Sequence, residues 1–237
     1  MEMLASGKLI NNASEKEDEY SIIRLDKSWL DRLLELQTVV MKHMDKKELF
    51  AGLTRDEFLE VLDTKGITVG ALVEERLIGF YSVLFPGLSD YNLGNDIGLD
   101  KEKLDSVVHM EGAGIDPDYR GNSLQKVMVR VCLDEALKLG KTRYICATVS
   151  PYNYPSIDHI FAMQLCIKKI KPKYNGVIRY ICVRDIKKGA LIDNDSIIEV
   201  PGDGLEKQAE LLDKGYLGFG QLRCNEKNLI RFGKTVN

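Results

Sequence analysis

Long apolar runs are missing from this chain of 237 residues; none approaches the roughly 20 residues that a helix needs to cross a bilayer, so no membrane partner is expected. A charge imbalance is missing too. Lys and Arg total 33 and Asp and Glu 36, interspersed for a net charge of −3, which leaves no broad positive field to draw the protein to nucleic acid. Histidine is scarce: His43, His109 and His159 lie far apart and none stands at ligand spacing from a cysteine, so no metal is expected. The cysteines (Cys132, Cys146, Cys166, Cys182 and Cys224) are odd in number and show no C-x-x-C spacing. They read as reduced thiols, mostly in the core, rather than as a disulfide framework. Residues 1–19 lack the basic-then-apolar pattern of a secretion signal and read as a disordered leader of a cytoplasmic protein.

What is present is ordinary globular material, 44% hydrophobic and 29% charged, long enough for a full core. Residues 21–25 suit a first strand, and helical spacing follows through Leu30, Leu33, Leu34, Val40, Met41 and Met44. Thr54 and Glu57 form a capping box ahead of a short helix. Residues 67–73 and 77–85 are β-branched and aromatic runs separated by Glu74, Glu75 and Arg76, the pattern of a hairpin. Residues 86–105, rich in Gly, Asn and Asp, read as a long functional loop, a lid on the substrate side. A strand over 107–115, a turn, a helix over 124–139 and a strand over 144–149 follow. A helical pattern over 157–170 and a strand over 177–183 complete a β-α-β-α-β run. Beyond Asp185 only a short helix (205–212), glycine-spaced turns and a terminal strand (229–232) are legible.

The segment from Gly114 to Gln125, GIDPDYRGNSLQ, runs from strand through turn into helix. Unpaired N–H groups of a first helical turn attract anions, and a glycine there lets backbone approach a ligand closely. Arg120 adds a permanent cation, so a pyrophosphate-bearing guest suits the junction. The alternative is that Asn122 and Gln125, three apart, simply cap the helix.

This segment resembles the acetyl-CoA loop of the GNAT superfamily of N-acetyltransferases. The order of elements agrees over residues 20–186, and Asn153 with Ser156 resembles the Asn-x-x-Ala/Ser that opens the helix after that family's fifth strand. The resemblance implies a mixed α/β (α+β) fold, a mostly antiparallel central sheet flanked by helices, with residues 187–237 as a short C-terminal extension. It implies acetyl-CoA as acyl donor, held by Ala113, Gly114, Ile115, Arg120, Gly121, Asn122, Ser123, Leu124 and Gln125, with Asn153 and Ser156 at the pantetheine arm. Ser123 and Gln125 depart from the small residues customary at their positions, and Ile160 stands where the family's usual acid, a tyrosine, is expected. The loop, together with Asn92-Leu-Gly and Arg179-Tyr, is similar to uncharacterised bacterial members.

Acyl transfer to an amine needs a proton acceptor, an oxyanion donor and a proton for the departing thiolate. Glu111 and His109 alternate onto the face of their strand shared by Ala113 and Ile115, and Glu111 is the preferred base. Gly112 and Gly114 suit a bulge there. Tyr152, or Tyr154, stands in for the missing acid, while Cys146, among apolar neighbours, reads as core. The resemblance thus implies direct transfer of an acetyl group from acetyl-CoA to a primary amine on a small molecule or peptide, with a homodimer allowed. The alternative is a catalytically silent binding module of the same fold.

Overall fold

Burial on both faces explains why two runs of the chain are apolar without alternation. In the computed structural model, which describes residues 2–44, 52–174, 176–224 and 227–236, they are β3 (Gly66–Val73) and β4 (Arg76–Leu84), paired antiparallel across a turn at Glu74 and Glu75. The chain divides into two units, Met1–Phe85 with Met110–Lys141, and Pro86–His109 with Thr142–Asn237.

In the first unit the strand order is β1 (Met3–Asn11), β2 (Lys16–Leu25), β3, β4 and the end of β5 (Val107–Ile115). The disordered leader expected over residues 1–19 is instead β1 and the start of β2. Their ladder runs Ala5↔Ile22 to Asn11↔Lys16, its outward side chains polar enough to hide the strand signal. α1 (Leu30–Lys42) and α2 (Arg55–Leu62) bury Leu33, Phe58 and Val61 in one core with Phe80, the Phe58 and Phe80 rings meeting edge-on at 5.5 Å. The capping box of α2 forms as expected, Thr54 and Glu57 satisfying each other's backbone amides. α4 (Leu124–Lys138) lies against β3 and β4, and a side chain at Gly79 would meet Met128 at 3.0 Å. Gly79 and Phe80 are consecutive in a strand and face opposite ways, so α4 covers one face and α1 with α2 the other.

The second unit orders its strands as β5, β6 (Tyr144–Val149), β8 (Val177–Asp185), β7 (Cys166–Lys173), β10 (Leu217–Cys224), β11 (Lys227–Gly233) and β9 (Ile198–Pro201). Only β5 with β6 is parallel; the other neighbours run antiparallel. The helical pattern expected over 157–170 is two elements. α5 (Tyr154–Ala162) ends before Gln164, whose φ of 60° breaks the helix, and β7 begins at Cys166. Pairing with β8 overrides a spacing of apolar residues that suits either state. Residues 86–105 are no bare loop, for α3 (Leu93–Asp96) and a 3-10 turn at Lys101–Ser106 bury Leu93, Asn92 and Leu104. The C-terminal segment joins this unit through β9, β10, β11 and α6 (Leu205–Asp213), where buried Gln208 accepts from Tyr180 Oη at 2.6 Å.

The structure is thus a mixed α/β arrangement, mostly antiparallel strands flanked by helices. Cys132, Cys146, Cys166 and Cys182 are free and buried; burial pushes the Cys146 thiol up to about 12 and that of Cys166 up to about 11, as befits inert core thiols. The side chain of Cys224 lies outside the described residues. Among the described residues no helix is long and apolar enough to cross a membrane.

Candidate functional site

The turn between β5 and α4 is held by a buried carboxylate. Asp116 accepts from the Asp118 amide at 3.0 Å, pairs with Arg76, and its own amide donates to the Ile78 carbonyl of β4 at 2.9 Å. Tyr119 is buried beside it, its hydroxyl donating to Asp18 and accepting from Asn11 Nδ2, each at 3.0 Å. Gly121 then takes φ +84° and Ser123 φ +58°, conformations that swing the chain so that successive amides point outward.

The result is a bare run of donors. Among the described residues the N–H groups of Gly121, Asn122, Ser123, Leu124 and Gln125 find no acceptor, and the first α4 bonds come from Lys126 and Val127 to the Ser123 carbonyl. A Cβ at Gly121 would meet nothing within 4 Å, so the space before these amides is open. The expected alternative, capping by Asn122, does not occur. Its side chain instead accepts from the Ile10 amide at 2.7 Å and donates to the Ile10 carbonyl at 2.8 Å, tying the turn to β1. Ser123, which precedes α4, makes no side-chain cap either.

Arg120 is engaged on the other side of the turn. Its guanidinium donates to the carbonyls of His43 at 3.1 Å and Val40 at 3.5 Å, covering the last carbonyls of α1, where a cation is favoured by the helix dipole. The open row of donors at this turn is therefore backbone alone.

Along β5, Gly112 and Gly114 sit in tight packing, for a Cβ at Gly112 would strike Leu53 at 2.8 Å and one at Gly114 would strike Phe80 at 2.6 Å. Leu53 is pinned there by buried Gln37, which exchanges two 2.8 Å hydrogen bonds with its backbone. Between Met110 and Gly112 stands Glu111, whose carboxyl has no hydrogen-bond or ion-pair partner among the described residues. Burial pushes its carboxyl up to about 7, and the charges of Glu57 and Glu60 on α2 push the same way. Those two glutamates are the part that sequence reasoning missed. The capping box that places Glu57 was legible, but that α2 brings the charges of Glu57 and Glu60 to bear on Glu111 was not.

In the second unit the β5–β6 ladder comprises Val107↔Tyr144, Val108↔Ile145 and His109↔Cys146. His109 is buried, its Nε2 accepts from the Leu93 amide at 3.0 Å, and burial drives its pKa down to about 3. A ring held neutral with its acceptor nitrogen occupied has no lone pair to offer as a base. Asn153 opens α5 by accepting from the Ser156 amide at 3.2 Å, so the pair forms the local contact that its spacing suggests. Tyr152 is exposed on the preceding turn, and Ile160 is core at 5% exposure.

The sequence matches the model of the acetyltransferase (GNAT) family over residues 30–159. Among curated proteins none matches it in sequence. In fold it is similar to Arabidopsis thaliana NAA60 in complex with acetyl-CoA, at 17% identity over 71% of this chain and 99% of that one, TM-score 0.57. It is also similar to the Escherichia coli ribosomal-protein-S18-alanine N-acetyltransferase, at 13% identity over 70% and 94%, TM-score 0.52. A third likeness is to yncA, a putative acetyltransferase from Salmonella typhimurium with acetyl-CoA, at 14% identity over 74% and 98%, TM-score 0.52.

Proposed function

Since the chain belongs to the GNAT acetyltransferase family, we propose that it transfers an acetyl group from acetyl-CoA directly to the amine of an acceptor. Five consecutive amides, from Gly121 to Gln125, without an acceptor among the described residues carry the reading. They lie at the positive end of a 15-residue helix, and with open space at Gly121 they suit the diphosphate of coenzyme A. Two structural neighbours contain acetyl-CoA, which supports the same donor here. Ala113, Gly114 and Ile115, with Asn153 and Ser156, are assigned to the thioester and pantetheine arm on the family resemblance.

Glu111 is the base in this scheme. A carboxyl pushed up to about 7 is a better proton acceptor than an ordinary glutamate and is about half ionised at neutrality. It takes the proton from the attacking amine as the new C–N bond forms and the C–S bond breaks. The thiolate of coenzyme A leaves, and since its thiol pKa is modest it departs without a strong acid; Tyr152 or solvent returns the proton. His109 is left out of the step.

Calorimetry of the full chain with acetyl-CoA tests the donor, and release of free coenzyme A against a panel of amines tests the reaction. Glu111→Gln is expected to bind acetyl-CoA as the native chain does and to lose roughly 100-fold or more in turnover. No binding at millimolar acetyl-CoA would overturn the reading, whereas binding without turnover on any amine would leave a silent module of the fold.

A further inference from the structure

Arg179 is the one guanidinium among the described buried residues, with 5% of its surface exposed. Its described contacts are slight: Nη1 donates to the neighbouring Ile178 carbonyl at 3.3 Å, and the group lies 5.9 Å from the Tyr174 ring. Among the described residues no carboxylate pairs with it. An arginine cannot shed its proton to escape burial. The fold therefore maintains a cation that no carboxylate among the described residues balances, and burial pulls its pKa downward.

Strand register shows what shares its face. Arg179 on β8 stands opposite Lys171 on β7, and Ile181, two residues on, stands opposite Thr148. Thr148 lies two residues from Cys146, which is level with His109, so all project to one side of the sheet. On that side Lys171 and Lys173 both pair with Asp96 of α3. Three cations thus face one carboxylate, and the lysines are already engaged. The lysines share Asp96, so Arg179 is left without a carboxylate among the described residues.

We propose that Arg179 is a binding site for a carboxylate carried by the acceptor, so that the substrates of this enzyme are amino acids and related amines that bear a carboxylate. The proposal rests on the acetyl-transfer reading for the word acceptor, though not for the binding itself. A planar fork of donors matches a carboxylate bidentately.

The test is a thermal-shift series on the full chain with free α- and ω-amino acids set against their carboxamides, at millimolar concentration, for the native protein and Arg179→Gln. At least one amino acid is expected to raise the native Tm while its carboxamide does not, and the variant should lose that discrimination. If no acid is preferred to its amide, or if Arg179→Gln keeps the preference, the proposal is wrong. A variant that weakens acetyl-CoA binding by calorimetry while acid-over-amide discrimination persists would assign Arg179 to the coenzyme and overturn it too. Because these readouts need no turnover, a failed activity screen would count against the acyl-transfer reading alone. Arg179→Met is a second variant with its own expectation: removal of an unpaired buried cation keeps or raises the ligand-free Tm, whereas a fall of several degrees would mark Arg179 as a structural anchor.

Discussion

Leu93 and His109 are joined by a hydrogen bond from the Leu93 amide to Nε2 of the ring, 3.0 Å long. That contact converts a candidate base into a brace for α3. In His109→Phe the Leu93 amide would be buried without an acceptor, at about 1–3 kcal/mol. The expected outcome is a lower Tm with an unchanged shape of the pH–rate profile. Loss of the alkaline-rising limb in this variant would return His109 to the chemistry.

Glu111 carries the opposite expectation. Only its carboxylate accepts a proton, so kcat/KM should rise with pH through about 7 and level off above. Stability has the reverse sign: a carboxyl whose folded pKa lies above its unfolded value binds its proton more tightly when folded, and stability falls as pH climbs from the ordinary carboxylate range to about 7. Glu111→Gln should therefore remove the limb and stabilise the protein at about pH 8 by up to roughly 3 kcal/mol, with little gain at about pH 4. Paired melts and rate profiles at several pH values check both signs.

Gly121 combines a φ of +84° with open space where a Cβ would go. Gly121→Val strains the backbone by about 1–3 kcal/mol and crowds the exposed amides. Calorimetry should show acetyl-CoA affinity falling at least tenfold, the more telling result because open space rules out a clash within the protein itself.

Arg120→Gln should act elsewhere. Its guanidinium caps α1, so the loss is about 0.5–2 kcal/mol of stability, read as a drop in Tm, with a smaller change in acetyl-CoA affinity than Gly121→Val produces. The reverse ranking would put the side chain back on the diphosphate.

Ending the chain at Asp185 should prevent folding. Val200, Leu211, Leu212, Ile230 and Phe232 are all buried, and at about 1.5–3 kcal/mol each their loss is on the order of 10 kcal/mol, comparable to the whole stability of a domain. Circular dichroism and solubility of the truncated chain check this; a folded, soluble product would make the segment a true appendage.

Local patterns were legible where one signal acted without competition. The Thr54 capping box, the 15-residue α4 and the turn at Glu74 all follow from spacing and residue chemistry within a few positions. Residues 166–170 were not legible, because apolar spacing that suits a helix is decided by the strand beside it. The role of Asn122 was not legible either, since its partner Ile10 lies 112 residues away.

By itself the sequence determined that this chain builds a mixed α/β fold with an amide-rich turn between a strand and a long helix, because caps, glycines and short-range periodicity act within a turn or two of chain. Only the tertiary structure decided which charges stay free to act. Arg120 is consumed by α1, and His109 by Leu93. Glu111 is raised by burial and by glutamates on α2, and Arg179 is left without a carboxylate among the described residues. A side chain's charge state depends on the solvent and partners that distant segments take away or supply, and those are set by packing rather than by neighbours in the chain.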